Sequence, residues 1–163
     1  MPEAYADDST LTVSGATPEE IGRKLSENCE AVSNWMLGNK LKLNADKTHL
    51  MTVGTNRRLQ KQENKVVVIM DDTELVESVD RFETLLGCQI EPELKWHKQV
   101  EELLKKLRKR LAALSNLRNI IPLNLRKTIT EGIFLSVLTY CLPLFGGCDK
   151  AEIESIQVMQ NKA

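Results

Sequence analysis

Two adjacent carboxylates, Asp7 and Asp8, follow Tyr5-Ala6 near the amino end. Neighbouring negative charges repel, and a divalent cation relieves the repulsion; Mg²⁺ prefers carboxylate and phosphate oxygens. Such a pair could hold ions for two-metal phosphoryl transfer, in which one ion activates an attacking hydroxyl and another steadies a leaving pyrophosphate. The same dipeptide also makes an ordinary turn. A second pair, Asp71-Asp72, follows a strand-like run without the tyrosine, and it reads as a turn. The other chemistry-bearing feature is a charge block. Lys95 to Lys127 carries ten lysines and arginines against two glutamates, between flanks that are both net acidic, although the whole chain is only −1. Such a block is either a solvated helix face or an element that contacts phosphates.

Other reactive residues are scattered. Cys29, Cys88, Cys141 and Cys148 contain no Cys-x-x-Cys pair, and His49 and His97 stand far apart. No structural zinc site is expected. The thiols are expected to be reduced and the protein intracellular, in nucleus or cytoplasm. The start is acidic and polar, so no secretory signal is expected there.

The chain has 163 residues, enough for one domain or one with a small appendage. Hydrophobic residues make up 42% and charged residues 28%, which excludes disorder, collagen and a disulfide-stapled mini-protein. With 4% aromatics, the core must be mostly Leu, Ile and Val. The apolar run Ile133–Phe145 contains Pro143 and precedes Gly146-Gly147, so it reads as core rather than a membrane span.

The elements that would position these residues follow from local pattern. Ala4–Tyr5 and Ser9–Val13 form the arms of a hairpin with Asp7 and Asp8 at its tip. Thr17, Pro18 and Glu20 supply an N-cap, a first helical residue and a capping-box partner. Ile21, Leu25, Cys29, Val32 and Met36 then form one apolar stripe, ended by Gly38-Asn39. Strands are expected near Thr48–Val53, over Lys65–Met70, at Glu74–Val76 and along Phe82–Ile90, with Thr55–Asn64 as a polar connector. After Pro92 the pattern turns helical. Val100, Leu103, Leu104, Leu107, Leu111, Leu114 and Leu117 form a stripe with Lys98, Lys105, Lys106, Arg108, Lys109 and Arg110 on the other faces. A second helix runs from Pro122 through Tyr140. A third, capped by Asp149, carries Ile153, Ile156 and Met159 and stops at Ala163 without a C-cap, as if cut. The fold class is α+β, with an α+β half over 1–94 and an all-α half over 95–163.

Tyr5-Ala6-Asp7-Asp8-Ser9 resembles the Tyr-x-Asp-Asp motif of reverse transcriptases, in the form used by non-LTR, LINE-type, jockey-like retrotransposons. The match continues in order. Asn44-Ala45-Asp46-Lys47-Thr48 is similar to the family's Asn-x-x-Lys-Thr, and Leu85-Leu86-Gly87 to the Leu-Gly of the primer grip. Leu94-x-Trp96-x-x-x-Val100 with the basic helices resembles the thumb. Tyr140 to Gly147, Ile156-Gln157 and Gln160-Asn161-Lys162-Ala163 resemble the region beyond it. The resemblance implies a partial palm, an antiparallel sheet with a packed helix, followed by a thumb-like helical bundle. It implies that Asp7 and Asp8 bind Mg²⁺, that Tyr5 lies near the primer terminus, and that Lys47 protonates leaving pyrophosphate. Leu86 and Gly87 would press backbone against the primer. Trp96, Lys98, Lys105, Lys106, Arg108, Lys109 and Arg110 would contact duplex phosphates. An RNA template and a DNA primer are the implied partners, with no membrane.

Only Met1 to Ala4 precede Tyr5. The family places fingers, the first half of the palm and a further metal-binding aspartate upstream. The chain alone is therefore expected not to polymerise, and a polypeptide supplying the missing palm and fingers would complete it. Two other readings use the same residues: a nucleic-acid-binding remnant built on the basic helices, and a helical protein-interaction module whose charges only solubilise it.

Overall fold

The structure, a computed structural model, describes residues 2–44, 47–61, 66–70, 73–75 and 82–163. It is α+β, with several helices and small antiparallel sheets. The chain divides into two compact units, Met1–Arg81 and Phe82–Ala163.

In the first unit, β1 (Pro2–Tyr5) and β2 (Asp8–Leu11) pair antiparallel, with Tyr5 opposite Asp8. Pro2 sits at the first position of β1, where its missing N–H is tolerated. Helix α1 (Pro18–Gly38) begins as the residues dictate: Thr17 Oγ1 accepts from the Glu20 backbone N–H at 3.2 Å. The Glu20 carboxylate reaches the Ala16 N–H rather than that of Thr17, and also holds Lys24 Nζ at 2.7 Å. The expected stripe lies on the packed side of α1. Cys29 is buried there with Leu50, Val66, Val68, Met70 and Leu75, and Ile21 and Leu25 pack against them. β3 (Val68–Met70) pairs antiparallel with β4 (Thr73–Leu75), and Ser26 Oγ on α1 accepts from the Ile69 N–H at 3.1 Å.

Two expectations fail in this unit. The strand near Thr48–Val53 is absent apart from an isolated bridge at Leu50, whose side chain joins the core. The polar connector contains a short helix, α2 (Asn56–Lys61), started by the Thr55 carbonyl accepting from Arg58 and Leu59 N–H. Asp71-Asp72, expected to form a turn, lies outside the described residues, as do Ala45 and Asp46.

The second unit opens with a hairpin where one strand was expected over Phe82–Ile90. β5 (Glu83–Leu85) and β6 (Cys88–Ile90) pair antiparallel across the turn Leu86-Gly87. Both turn residues have positive φ, 48° and 79°, as a two-residue hairpin of matching twist requires. Helix α3 (His97–Leu117) buries Val100, Leu103 and Leu107 from its leucine stripe. The chain then runs through α4 (Leu123–Thr130), a π-helical turn (Glu131–Leu135) and α5 (Ser136–Thr139), so the expected second helix is present but widened in its middle. After α6 (Leu142–Phe145), α7 (Lys150–Lys162) starts with a full Asp149–Glu152 capping box. Phe134, Leu138, Phe145, Cys148 and Met159 complete the core around α3.

The boundary expected near Glu93–Lys95 thus lies inside the second unit. Helix α3 packs on β6, which ties the hairpin to the helices. A disulfide between Cys88 and Cys141, 53 residues apart, adds a covalent tie. The expectation of four reduced thiols fails with it. Cys29 and Cys148 are buried and lie outside the bridge. Among the described residues, no helix is long and apolar enough to cross a membrane.

Candidate nucleic-acid interface

The hairpin of the first unit presents Tyr5, Asp7 and Asp8 to solvent; Tyr5 is 69% exposed. Ala6 and Asp7 form the turn, with Ala6 at φ 54°, and Asp8 is the first residue of β2. Among the described residues, these two carboxylates gather no third His, Cys, Asp or Glu ligand. Two exposed carboxylates supply too few oxygens for a pair of Mg²⁺ ions, so no catalytic step is derived from them. Lys47 is exposed. Its backbone N–H donates to the Asn44 carbonyl at 3.1 Å, as does Thr48 Oγ1 at 2.9 Å, while its ammonium makes no hydrogen bond or ion pair among the described residues.

In the second unit, several of the expected residues converge on one cleft of about 390 Å³, within the range of ligand sites. Gly87 stands at one wall. Along α3, Gln99, Glu102, Leu103, Lys106 and Arg110 form another, because residues three and four apart share a helix face. Ser136, Val137 and Tyr140 supply the rest. The Tyr140 hydroxyl donates to the Leu86 carbonyl, which fixes the turn against the helices. Gln99 is only 7% exposed, and its Oε1 accepts from the Gln89 N–H at 2.8 Å. The Gln89 side-chain oxygen is buried without a hydrogen-bond partner among the described residues, and Gln89 Nε2 donates to Thr84 Oγ1 at 2.8 Å.

The cations of α3 fall into two groups. Lys98 and Lys105 are committed locally. Lys98 Nζ lies 3.1 Å from Glu101 and 5.4 Å from the centre of the Phe82 ring. Lys105 Nζ lies 3.0 Å from Glu101 and 2.9 Å from Glu102. Its hydrogen bond to Glu102 leads the causes that hold the ammonium above its ordinary pKa. Lys106, Arg108 and Lys109 are exposed and make no ion pair or hydrogen bond among the described residues. Arg110 Nη1 donates to the Ile133 carbonyl at 2.9 Å, in the π-helical turn. Trp96 is half-buried and packs against the core, with φ 68°; its carbonyl accepts the Val100 N–H at 2.9 Å.

A separate cluster joins the amino ends of α3 and α7. His97 Nδ1 lies 2.8 Å from Glu152 Oε1, and Asp149 completes the group. The capping box of α7 and the ion pair account for these carboxylates. Glu152 holds the His97 imidazole above its ordinary pKa, and burial pushes the Cys148 thiol up.

Of the residues expected to contact nucleic acid, Gly87, Lys106 and Arg110 line this cleft; Gln89, Gln99, Ser136 and Tyr140 line it as well and were not among the expected site residues. One signal was available for Gln99: it stands at helical spacing with the buried Leu103 and Leu107, a polar residue on an apolar face. No protein-family model, curated protein or solved structure matches the chain.

Proposed function

We propose that the chain is a fragment of a non-LTR retrotransposon reverse transcriptase, its palm end and thumb, and that by itself it binds primer–template duplex without polymerising. The observation that carries the binding reading is one cleft lined both by Gly87 of the hairpin turn and by Lys106 and Arg110 of α3. Backbone at a turn and two adjacent cations suit a sugar–phosphate strand, bound without reading its sequence. The incomplete acidic site at Asp7 and Asp8 supports the absence of polymerisation. Mg²⁺ chemistry there would need further carboxylate oxygens beside these two.

The test is fluorescence anisotropy of an RNA–DNA hybrid across a salt series. Replacing Lys106 and Arg110 together by Gln should lower the magnitude of the log K against log salt slope by roughly 2, about 0.9 per phosphate contact. Replacing Lys98 and Lys105 should change it far less, because their charges are already paired with Glu101 and Glu102. No binding by the wild type, or equal losses from the two pairs, refutes the assignment. Primer extension with Mg²⁺ by the chain alone refutes the inactivity.

A helical interaction module is the second reading, favoured by Ile120, in the turn before α4, and Leu123, its first residue, which are more than three-quarters exposed. It predicts a salt-insensitive homo-oligomer in sedimentation.

A further inference from the structure

The Cys88–Cys141 disulfide stands between residues of the cleft on both of its arms. Gly87 and Gln89 flank Cys88, and Tyr140 precedes Cys141; all three line the cleft. Two links therefore hold the Leu86-Gly87 turn to the end of α5: the covalent bridge and the hydrogen bond from the Tyr140 hydroxyl to the Leu86 carbonyl. Without the bridge, the hairpin has three residues in each strand and only two strands, a size that is marginal by itself. Its remaining ties include the Tyr140–Leu86 hydrogen bond, the packing of β6 on α3, the Gln89 N–H bond to Gln99, the Lys98 N–H bond to Glu91 at 3.4 Å and the Lys98 ammonium over the Phe82 ring. The turn also carries its own strain. Leu86 holds φ 48°, a left-handed conformation that a leucine leaves when it is free to do so. Helix α3, by contrast, is anchored through Val100, Leu103 and Leu107 to Phe134 and the rest of the core.

We propose that this disulfide is a redox latch on the cleft: oxidised, it holds the Leu86-Gly87 turn in the binding geometry; reduced, it lets the turn move while the helices stay folded. The inference rests on the nucleic-acid reading of the same cleft and adds its regulation. The reductant is a dithiol. One of its thiolates attacks a sulfur of the bridge, and the other protein cysteine leaves as a thiolate and takes up a proton. The reagent's second thiolate then attacks the mixed disulfide and frees the remaining cysteine. The reagent ends as a disulfide, and the protein gains two electrons and two protons.

The test uses the full chain, oxidised or treated with dithiothreitol, in three measurements. Thiol titration in denaturant should count two thiols before treatment, those of Cys29 and Cys148 outside the bridge, and four after. Hydrogen exchange should quicken at residues 84–90 on reduction, while amides of the buried face of α3 keep their protection. Affinity for an RNA–DNA hybrid should fall about tenfold, since the mobile turn must be ordered again on binding. Cys141→Ser should reproduce the reduced state and ignore dithiothreitol. Four thiols before treatment overturn the latch, as does equal affinity with the bridge shown to be reduced. Loss of protection along α3 overturns it too, because the bridge would then be holding the whole unit. If neither form binds the hybrid while exchange quickens only at 84–90, the mechanical latch stands and the nucleic-acid reading falls.

Discussion

Gly22 offers a test in which sequence and structure predict opposite signs. It lies inside α1, where glycine costs about 1 kcal/mol relative to alanine, so propensity alone says that Gly22→Ala stabilises. A Cβ built on Gly22 would stand 2.5 Å from the Val67 carbonyl oxygen, a backbone atom that no rotamer change can remove. Relief to even 3.0 Å requires α1 and the Val67 segment to part by about half an ångström. That segment leads directly into β3, whose Val68 is fully buried, and the Ser26–Ile69 hydrogen bond lies one turn along the same contact. Overpacking of this kind costs about 1–3 kcal/mol, and a weakened hydrogen bond adds up to about 1 kcal/mol. After the propensity gain, Gly22→Ala should destabilise by up to about 3 kcal/mol. Gly38, at the other end of α1, is the control. Nothing lies within 4 Å of its Cβ position, so Gly38→Ala should stabilise by about 0.4–1 kcal/mol. Urea unfolding followed by circular dichroism at 222 nm, roughly the helical band, measures both. If Gly22→Ala matches Gly38→Ala in sign, the close approach of α1 to Val67 is wrong.

Two further predictions concern the second unit. Phe134 is 0% exposed at the centre of its core, and Phe134→Ala should cost about 3–5 kcal/mol by urea unfolding, against little change for the exposed Leu123→Ala. His97 is held above its ordinary pKa first by its hydrogen bond to Glu152, and further by the charges of Glu152, Glu91 and Asp149. Its contribution to stability is therefore complete below pH 6.5 and lost as pH rises through its raised folded value. Stability measured from pH 5.5 to 8.5, roughly the histidine range, should decline in the wild type. His97→Gln should flatten that decline, and an unchanged profile would dismiss the pair.

The sequence by itself determined those elements whose physics is local. Thr17, Pro18 and the stripe from Ile21 to Met36 specify α1, the leucine stripe specifies α3, and Asp149 with Glu152 specifies the start of α7; each rests on contacts within four residues along the chain. The hairpin tip with Asp7 was legible for the same reason. The cations of α3 were legible as a block, yet which of them are free was not, because Glu101 and Glu102 claim Lys98 and Lys105 by side-chain placement. The Leu86-Gly87 turn is not legible locally, because leucine seldom takes positive φ; the pairing of β5 with β6, the Tyr140 hydrogen bond and the Cys88–Cys141 bridge hold it there. Tertiary structure alone brought Cys88 to Cys141 and Tyr140 to Leu86 and closed a cleft between them. Those contacts span more than fifty residues and depend on α3 burying its leucines against Phe134, a packing of non-neighbours that no local spacing encodes.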